Sequence, residues 1–329
     1  MRENMKNHGD NALCLRMSQK TILAIPGFDK SGREVPVAQC SLDSQPCAEW
    51  WEKSERRLLA QLGKGYLPVF RFSDGECYFC LGYRMPPPAP GQVAALHYTR
   101  TALSAYVKYQ CHTTFWSGQP GYGYESYRGK HWHNLRSSFS EQLRVIAEDG
   151  IIAANFCRHA GFEMMDRYIP DIFDWFDREG IRLDQNNYIP FYFIYALLLG
   201  PSRHRFLSSR KILVITNLSE GKELRLRRYF EASGASSVNF IGISRSSSMD
   251  ERIELRAEHD GTDLVLIGAG VGAANILTQV KPLNAVSIDA GYVLECYQNP
   301  KYKGTRVFTL SDEDALANPI AESETVASD

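Results

Sequence analysis

From Lys211 to Ile288 the chain alternates apolar runs with longer polar stretches: KILVIT (211–216), SVNFIGI (237–243), DLVLI (263–267) and AVSI (285–288). Each run is short, rich in β-branched residues and closed by Asn, Ser, Gly or Asp, which is the signature of a buried strand. The spacers Lys222–Ala232, Met249–His259 and Ala273–Val280 are expected to be helices. Strands separated by helices cannot pair as hairpins. They need right-handed crossovers, which lay the strands parallel and cover both faces of the sheet. The expected fold class is α/β, a Rossmann-like, doubly wound, mostly parallel sheet with helices on both faces.

Working outward, YIPFYFIYALLLG (188–200) is the most apolar segment, but its 13 residues fall short of the roughly 20 that a membrane helix needs, so a buried helix is expected. Upstream lie a helix over Glu163–Arg178, a buried strand IIAANF (151–156), and helices over Leu135–Glu148 and Val93–Tyr109. YLPVFRF (66–72) reads as a strand that ends on the turn-like Ser73-Asp74-Gly75-Glu76, and AEWWEKSERRLLAQL (48–62) as a helix before it. Between Cys111 and Asn134 runs a long loop rich in Gly and aromatic residues that also carries His112, His131 and His133. Residues 1–44 form a polar arm, 45–310 a single α/β domain whose β/α units are clearest over 211–297, and 311–329 a polar tail.

Composition narrows the function. With 37 Lys and Arg against 38 Asp and Glu there is no broad positive field to hold a polyanion, so no nucleic acid partner is expected. MRENMKNHGDNALCLRMSQK at the start lacks the apolar run of a secretory signal. The expectation is a cytoplasmic protein, with peripheral docking at the inner face of a membrane as the minor alternative. Eight cysteines spread over the chain fit a reducing compartment, and Cys77-x-x-Cys80 has no second pair at zinc spacing.

In open parallel sheets ligands bind at the carboxyl ends of the strands. One such end is Asp74-Gly75-Glu76, where an extended backbone would aim both carboxylates at one hard cation, with Arg71 two residues upstream as a forked contact to a phosphate or base. Another is Gly268-Ala269-Gly270-Val271-Gly272-Ala273, which lets the backbone approach a phosphate. This turn also satisfies G-x-G-x-x-A, with Asp289 about 20 residues on, so an NAD-dependent oxidoreductase is an alternative. A non-catalytic nucleotide- or glycan-binding protein of the same fold is a third reading.

VFRFSDGE (69–76) resembles the F-R-x-G-D-G-E segment of the GT-D fold glycosyltransferases. DLVLIGAGVGAANILTQVKPLNAVSIDAG (263–291) is similar to that family's strand, glycine turn, helix and strand ending in Asp-x-Gly, and the order of motifs agrees over about Tyr66–Tyr297. The resemblance implies a hexosyltransferase that moves sugar from a nucleotide-sugar, UDP-hexose foremost, to a glycan acceptor in surface polysaccharide or glycoprotein assembly, with Mn²⁺ or Mg²⁺ as cofactor. It implies Asp74 and Glu76 as metal and diphosphate ligands, and Arg71, Ser73, Ser244, Gly268, Ala269 and Gly270 as nucleotide contacts. Ser73 stands where the family has glycine, and Tyr292 where it commonly has histidine. If the reaction inverts configuration, Asp289 and Glu295 are the candidate bases, and Phe115, Trp116, Tyr122 and Trp132 suit an acceptor lid.

Overall fold

The computed structural model describes residues 47–81, 130–154, 168–183, 186–199 and 203–298, the pairs 27–28 and 34–35, and positions 93, 96, 99, 100 and 103. Gly27–Phe28 (β1) and Glu34–Val35 (β2) pair antiparallel as a small ribbon. Seven further strands form one sheet: β3 (Leu67–Phe72), β4 (Ile151–Ala154), β5 (Tyr188–Pro190), β6 (Lys211–Thr216), β7 (Ser237–Gly242), β8 (Leu264–Gly268) and β9 (Val286–Asp289). Their order is β5-β4-β3-β9-β8-β6-β7 and every pairing is parallel. This is the α/β, Rossmann-like architecture that the alternation of runs and spacers predicts.

The order of strands sets where the helices go. Steps from β3 to β4 and from β8 to β9 run one way along the sheet, whereas β6 to β7 runs the other. Right-handed crossovers therefore put α3 (Lys130–Asp149) and α8 (Ala273–Gln279) on one face and α7 (Glu220–Ala232) on the opposite face. Consistent with this, α8 packs on α3, while α9 (Val293–Gln298) packs on α7 and on α5 (Phe191–Leu199). With both faces covered, the central strands bury nearly all of their side chains, as Val214, Leu266, Ile288 and Val69 show. Aromatic rings fill the space under α3 and α4 (Ile169–Arg178): Phe70 meets Phe139 at 5.8 Å and Phe72 meets Phe176 at 5.1 Å between centroids. No helix among the described residues is long and apolar enough to cross a membrane.

Four expectations are corrected. Met249–His259 is not a helix: the chain is extended over 251–256 and closes in one 3₁₀ turn, Ala257–His259. Glu251, Ile253 and Leu255 are half-buried while Arg252, Glu254 and Arg256 are exposed, so the period is two, not 3.6. Side-chain amides of α8 serve this segment's backbone in place of a helical ladder: Gln279 Nε2 donates to Glu251 O at 2.9 Å and Gln279 Oε1 accepts from Ile253 N at 3.0 Å. Ser73–Glu76 is not a turn, because α2 spans Asp74–Leu81. The first residues of Tyr188–Gly200 pair as β5, and the helix α5 begins only after Pro190. α3 begins at Lys130, so His131, Trp132 and His133 lie in a helix instead of a loop. Phe115, Trp116, Tyr122 and His112 fall outside the described residues, as does most of Val93–Tyr109.

Candidate active site at the carboxyl edge of the sheet

The parallel register levels the strand ends. Thr216 stands beside Gly268, Ile267 beside Asp289, and Ile288 beside Val69, so β3 runs on past the end of β9. Arg71, on that overhang, reaches back across it. Its Nε donates to the Asp289 carbonyl at 2.7 Å, its Nη2 pairs with Asp289 Oδ1 at 3.2 Å, and its Nη1 donates to the Tyr195 hydroxyl at 2.8 Å. The Arg71 backbone N–H adds a bond to Asp289 Oδ2 at 3.3 Å, and the guanidinium lies 5.3 Å from the ring centroids of Phe191 and Tyr195.

The Arg71–Asp289 pair is almost dry, with side-chain exposures of 10% and 3%. Burial opposes charge on Arg71, but Asp289, Tyr195 and Glu76 outweigh it and hold the guanidinium above its ordinary range. On Asp289 burial prevails and raises the carboxyl, with Arg71 pulling the other way. Gly291 closes the arrangement: its φ is +45°, and a β-carbon there would overlap the Arg71 guanidinium. Arg71 and Asp289, expected to meet nucleotide and acceptor, are thus joined to each other, and both carboxylate oxygens of Asp289 are engaged by Arg71.

Directly beyond Arg71 the chain turns into α2. Asp74 and Glu76 occupy its first turn, Ser73 stands just before it, and the Ser73 N–H donates to Glu76 Oε2 at 2.7 Å. That bond is half of a capping box, and it leaves Glu76 buried at 5% exposure. Successive helical residues are rotated by about 100°, so the same-side i, i+2 spacing of an extended strand does not apply to Asp74 and Glu76, which share the first turn of α2. Cys77 and Cys80 follow on α2, where Cys77 is buried and burial pushes the Cys80 thiol well up, with the Glu76 carboxylate adding to it. Among the described residues no three His, Cys, Asp or Glu side chains gather as a metal-binding group.

α2 packs against the 3₁₀ turn Gly270–Gly272. The helix that opens with the D-x-E segment and the glycine turn, nearly 200 residues apart in the chain, therefore adjoin at the same edge with β9 between their strands. Gly268 opens that turn, wedged so that a β-carbon would lie 2.9 Å from both Thr216 Oγ1 and Leu294 Cδ1. The loop after β7 returns to it: Ser248 Oγ donates to the Ala269 carbonyl at 2.7 Å. Upstream in this loop Ser244 receives the Ser247 hydroxyl at 2.6 Å and donates its own N–H to Glu251 Oε2 at 2.6 Å.

Glu295, on α9, belongs to a cluster that the sequence reading missed. Lys222 Nζ donates to Glu295 Oε1 at 2.9 Å, Asn217 Oδ1 at 3.1 Å and Thr216 Oγ1 at 3.3 Å, and Thr216 in turn donates to the Gly268 carbonyl at 3.0 Å. The signal was present in α7. Lys222 shares the inward stripe with Leu226, Tyr229 and Phe230, and a lysine at an apolar position of an amphipathic helix marks a buried charge. Tyr195, the hydroxyl partner of Arg71, had no such mark.

Comparison with known proteins agrees with this geometry in part of the chain. Residues 163–297 match the family model described as a GT-D fold-like domain. No curated protein and no solved structure gives a match. β3 and the Asp74–Glu76 segment precede the matched range, and they join it through β3–β9 pairing and the Arg71–Asp289 bridge. The matched range holds β5 to β9, the glycine turn, the Lys222–Glu295 pair and Asp289-Ala290-Gly291, and over residues 163–297 this chain is similar to a GT-D fold-like domain.

Proposed function

We propose that the protein is a metal-dependent glycosyltransferase that binds a nucleoside-diphosphate sugar, UDP-hexose foremost, at the carboxyl edge and passes the hexose to a glycan acceptor. Such acceptors are the growing chains of surface polysaccharide or glycoprotein. The observation that carries this reading is the packing of α2 on Gly270–Gly272, which sets the helix that opens with Asp74-Gly75-Glu76 beside the glycine turn where parallel sheets bind ligands.

Mg²⁺ and Mn²⁺ are commonly held by one or two carboxylates together with substrate phosphates. Asp74 and Glu76, two hard oxygen donors in one helical turn, fit that donor set. A cation bound there would offset the charge that builds on the departing diphosphate. The chain's own contributions are separate. Arg71 fixes β3 to β9 and so fixes where α2 starts, while Ser248 and Thr216 fix the carbonyls of the glycine turn. The oxidoreductase alternative requires a carboxylate able to receive a ribose hydroxyl after β9, and Asp289 is committed to Arg71.

Titration calorimetry tests the proposal directly. UDP is expected to bind with Mn²⁺ present and much more weakly without it, and Asp74→Ala is expected to abolish the difference. No UDP binding, or binding indifferent to both the metal and Asp74→Ala, sinks the reading. NADH titrated by fluorescence is expected to show no saturable binding.

A further inference from the structure

We infer that Lys222 is a positioning residue that holds Glu295 as the proton acceptor for the attacking hydroxyl. This rests on the glycosyl-transfer reading and adds to it a residue pair on the far side of the glycine turn from α2.

The argument begins with what the buried lysine does. Its side chain is 9% exposed, and its three ammonium donors meet three acceptors, Thr216 Oγ1, Asn217 Oδ1 and Glu295 Oε1. Asn217 and Thr216 are neutral, so Glu295 is the charge partner among them. Burying such a pair adds little net stability, and an apolar side chain of similar size on the stripe of Leu226 and Tyr229 would hold α7 as well. The ammonium therefore acts on Glu295 more than on the fold. Glu295 differs in kind from its partner: 44% of its side chain is exposed, with Oε1 tied to Lys222 and Oε2 within 3.3 Å of Gln298 Nε2. It is a carboxylate held from behind and open in front.

Its place is the second support. The strand order reverses direction between β6 and β8, since β6 leads outward to β7 and β8 leads back to β9. Open α/β sheets bind ligands at such a reversal, and Lys222, Thr216, Asn217 and Gly268 all lie at the carboxyl ends that flank it. The Lys222–Thr216–Gly268 chain of hydrogen bonds ties the carboxylate's position to that of the glycine turn. In the step assigned here, the hydroxyl oxygen of the acceptor, or of water, bonds to the anomeric carbon. The bond from that carbon to the diphosphate oxygen breaks, its electron pair leaves with UDP, and the hydroxyl proton passes to Glu295.

The test is a double-mutant cycle on UDP-glucose, UDP-galactose and UDP-N-acetylglucosamine hydrolysis with Mn²⁺, read beside UDP affinity by calorimetry and thermal melting. Glu295→Gln is expected to lower kcat about a hundredfold, and Lys222→Met at least about tenfold, with KM and UDP affinity near wild type. Because both changes remove one function, the double variant is expected to be no slower than Glu295→Gln alone. Losses that multiply, or a Lys222→Met protein as fast as wild type, overturn the positioning role. If Lys222→Met fails to fold, Glu295→Asp asks the same question, since it keeps the charge but withdraws it by one methylene. Its kcat should fall with UDP affinity intact, and an unchanged kcat overturns the inference. Wild-type protein that binds no UDP removes the glycosyl-transfer reading itself, whereas UDP binding without hydrolysis of any of the three sugars removes only the role of Glu295.

Discussion

Arg71 directs its guanidinium donors at Asp289 and Tyr195, so its largest effect is on architecture. A buried carboxylate deprived of its cation is costlier than no charge at all. Arg71→Leu is accordingly expected to lower unfolding free energy by about 3–5 kcal/mol, while Arg71→Leu with Asp289→Leu recovers most of it, as read from urea midpoints at constant m. A single variant no less stable than the double would refute the bridge as a stabilising unit. Arg71 itself stood out in the sequence because it precedes an acidic segment. Its partner Asp289, 218 residues away, stood out as a candidate base, but nothing local to it says that its carboxylate faces another strand rather than a ligand. Lys222 was not singled out in the sequence, although its helical spacing to Leu226 places it on the inward stripe.

For the elements, strands were read more securely than the segments that join them. KILVIT and DLVLI are apolar throughout because helices cover both faces, and this pattern has few competing explanations. ERIELR (251–256) has helix-forming composition, yet Ile253 and Leu255 alternate with charges, and the period outweighs the propensity once Gln279 and Asn275 satisfy its backbone. Similarly, Ser73-x-x-Glu76 is a helix-start signal as much as it is a turn. α2 thus gives Glu76 two jobs, which substitution can separate. Glu76→Gln keeps an acceptor for the Ser73 N–H and should leave the melting temperature nearly unchanged while weakening Mn²⁺-dependent UDP binding. Glu76→Ala should cost about 1 kcal/mol of stability as well. A Glu76→Gln protein with wild-type calorimetry in Mn²⁺ would leave the carboxylate with its capping role alone.

Across the whole molecule, a second aromatic cluster lies on the side of α5, α7 and α9, over the sheet from the rings under α3 and α4. Tyr229 and Tyr297 stack there at 4.2 Å between centroids, and the Tyr297 hydroxyl donates to Leu198 O at 2.5 Å. Burial pushes the Tyr229 phenol up to about 12 and Tyr297 well above its ordinary value. A phenol raised in the folded state favours folding fully below the unfolded value near 10, and that contribution is lost as pH climbs through the folded value. Melting temperature is therefore expected to fall between pH 10 and about 12, with these phenols ionising only as the protein unfolds. Phenolate absorbance that saturates while the fold persists would contradict this. The sheet's parallel class was legible because strand runs and spacers alternate, but its order was not, since register is set by pairs such as Leu67 and Val286 that no local pattern links. That order has a consequence for biosynthesis. β9, the last described strand to leave the ribosome, belongs in the middle of the sheet, so β3 waits roughly 200 residues for its inner neighbour. At about 5–20 residues per second that is about 10–45 seconds, during which a nascent β5-β4-β3 block presents an open, apolar strand edge in need of chaperone shielding.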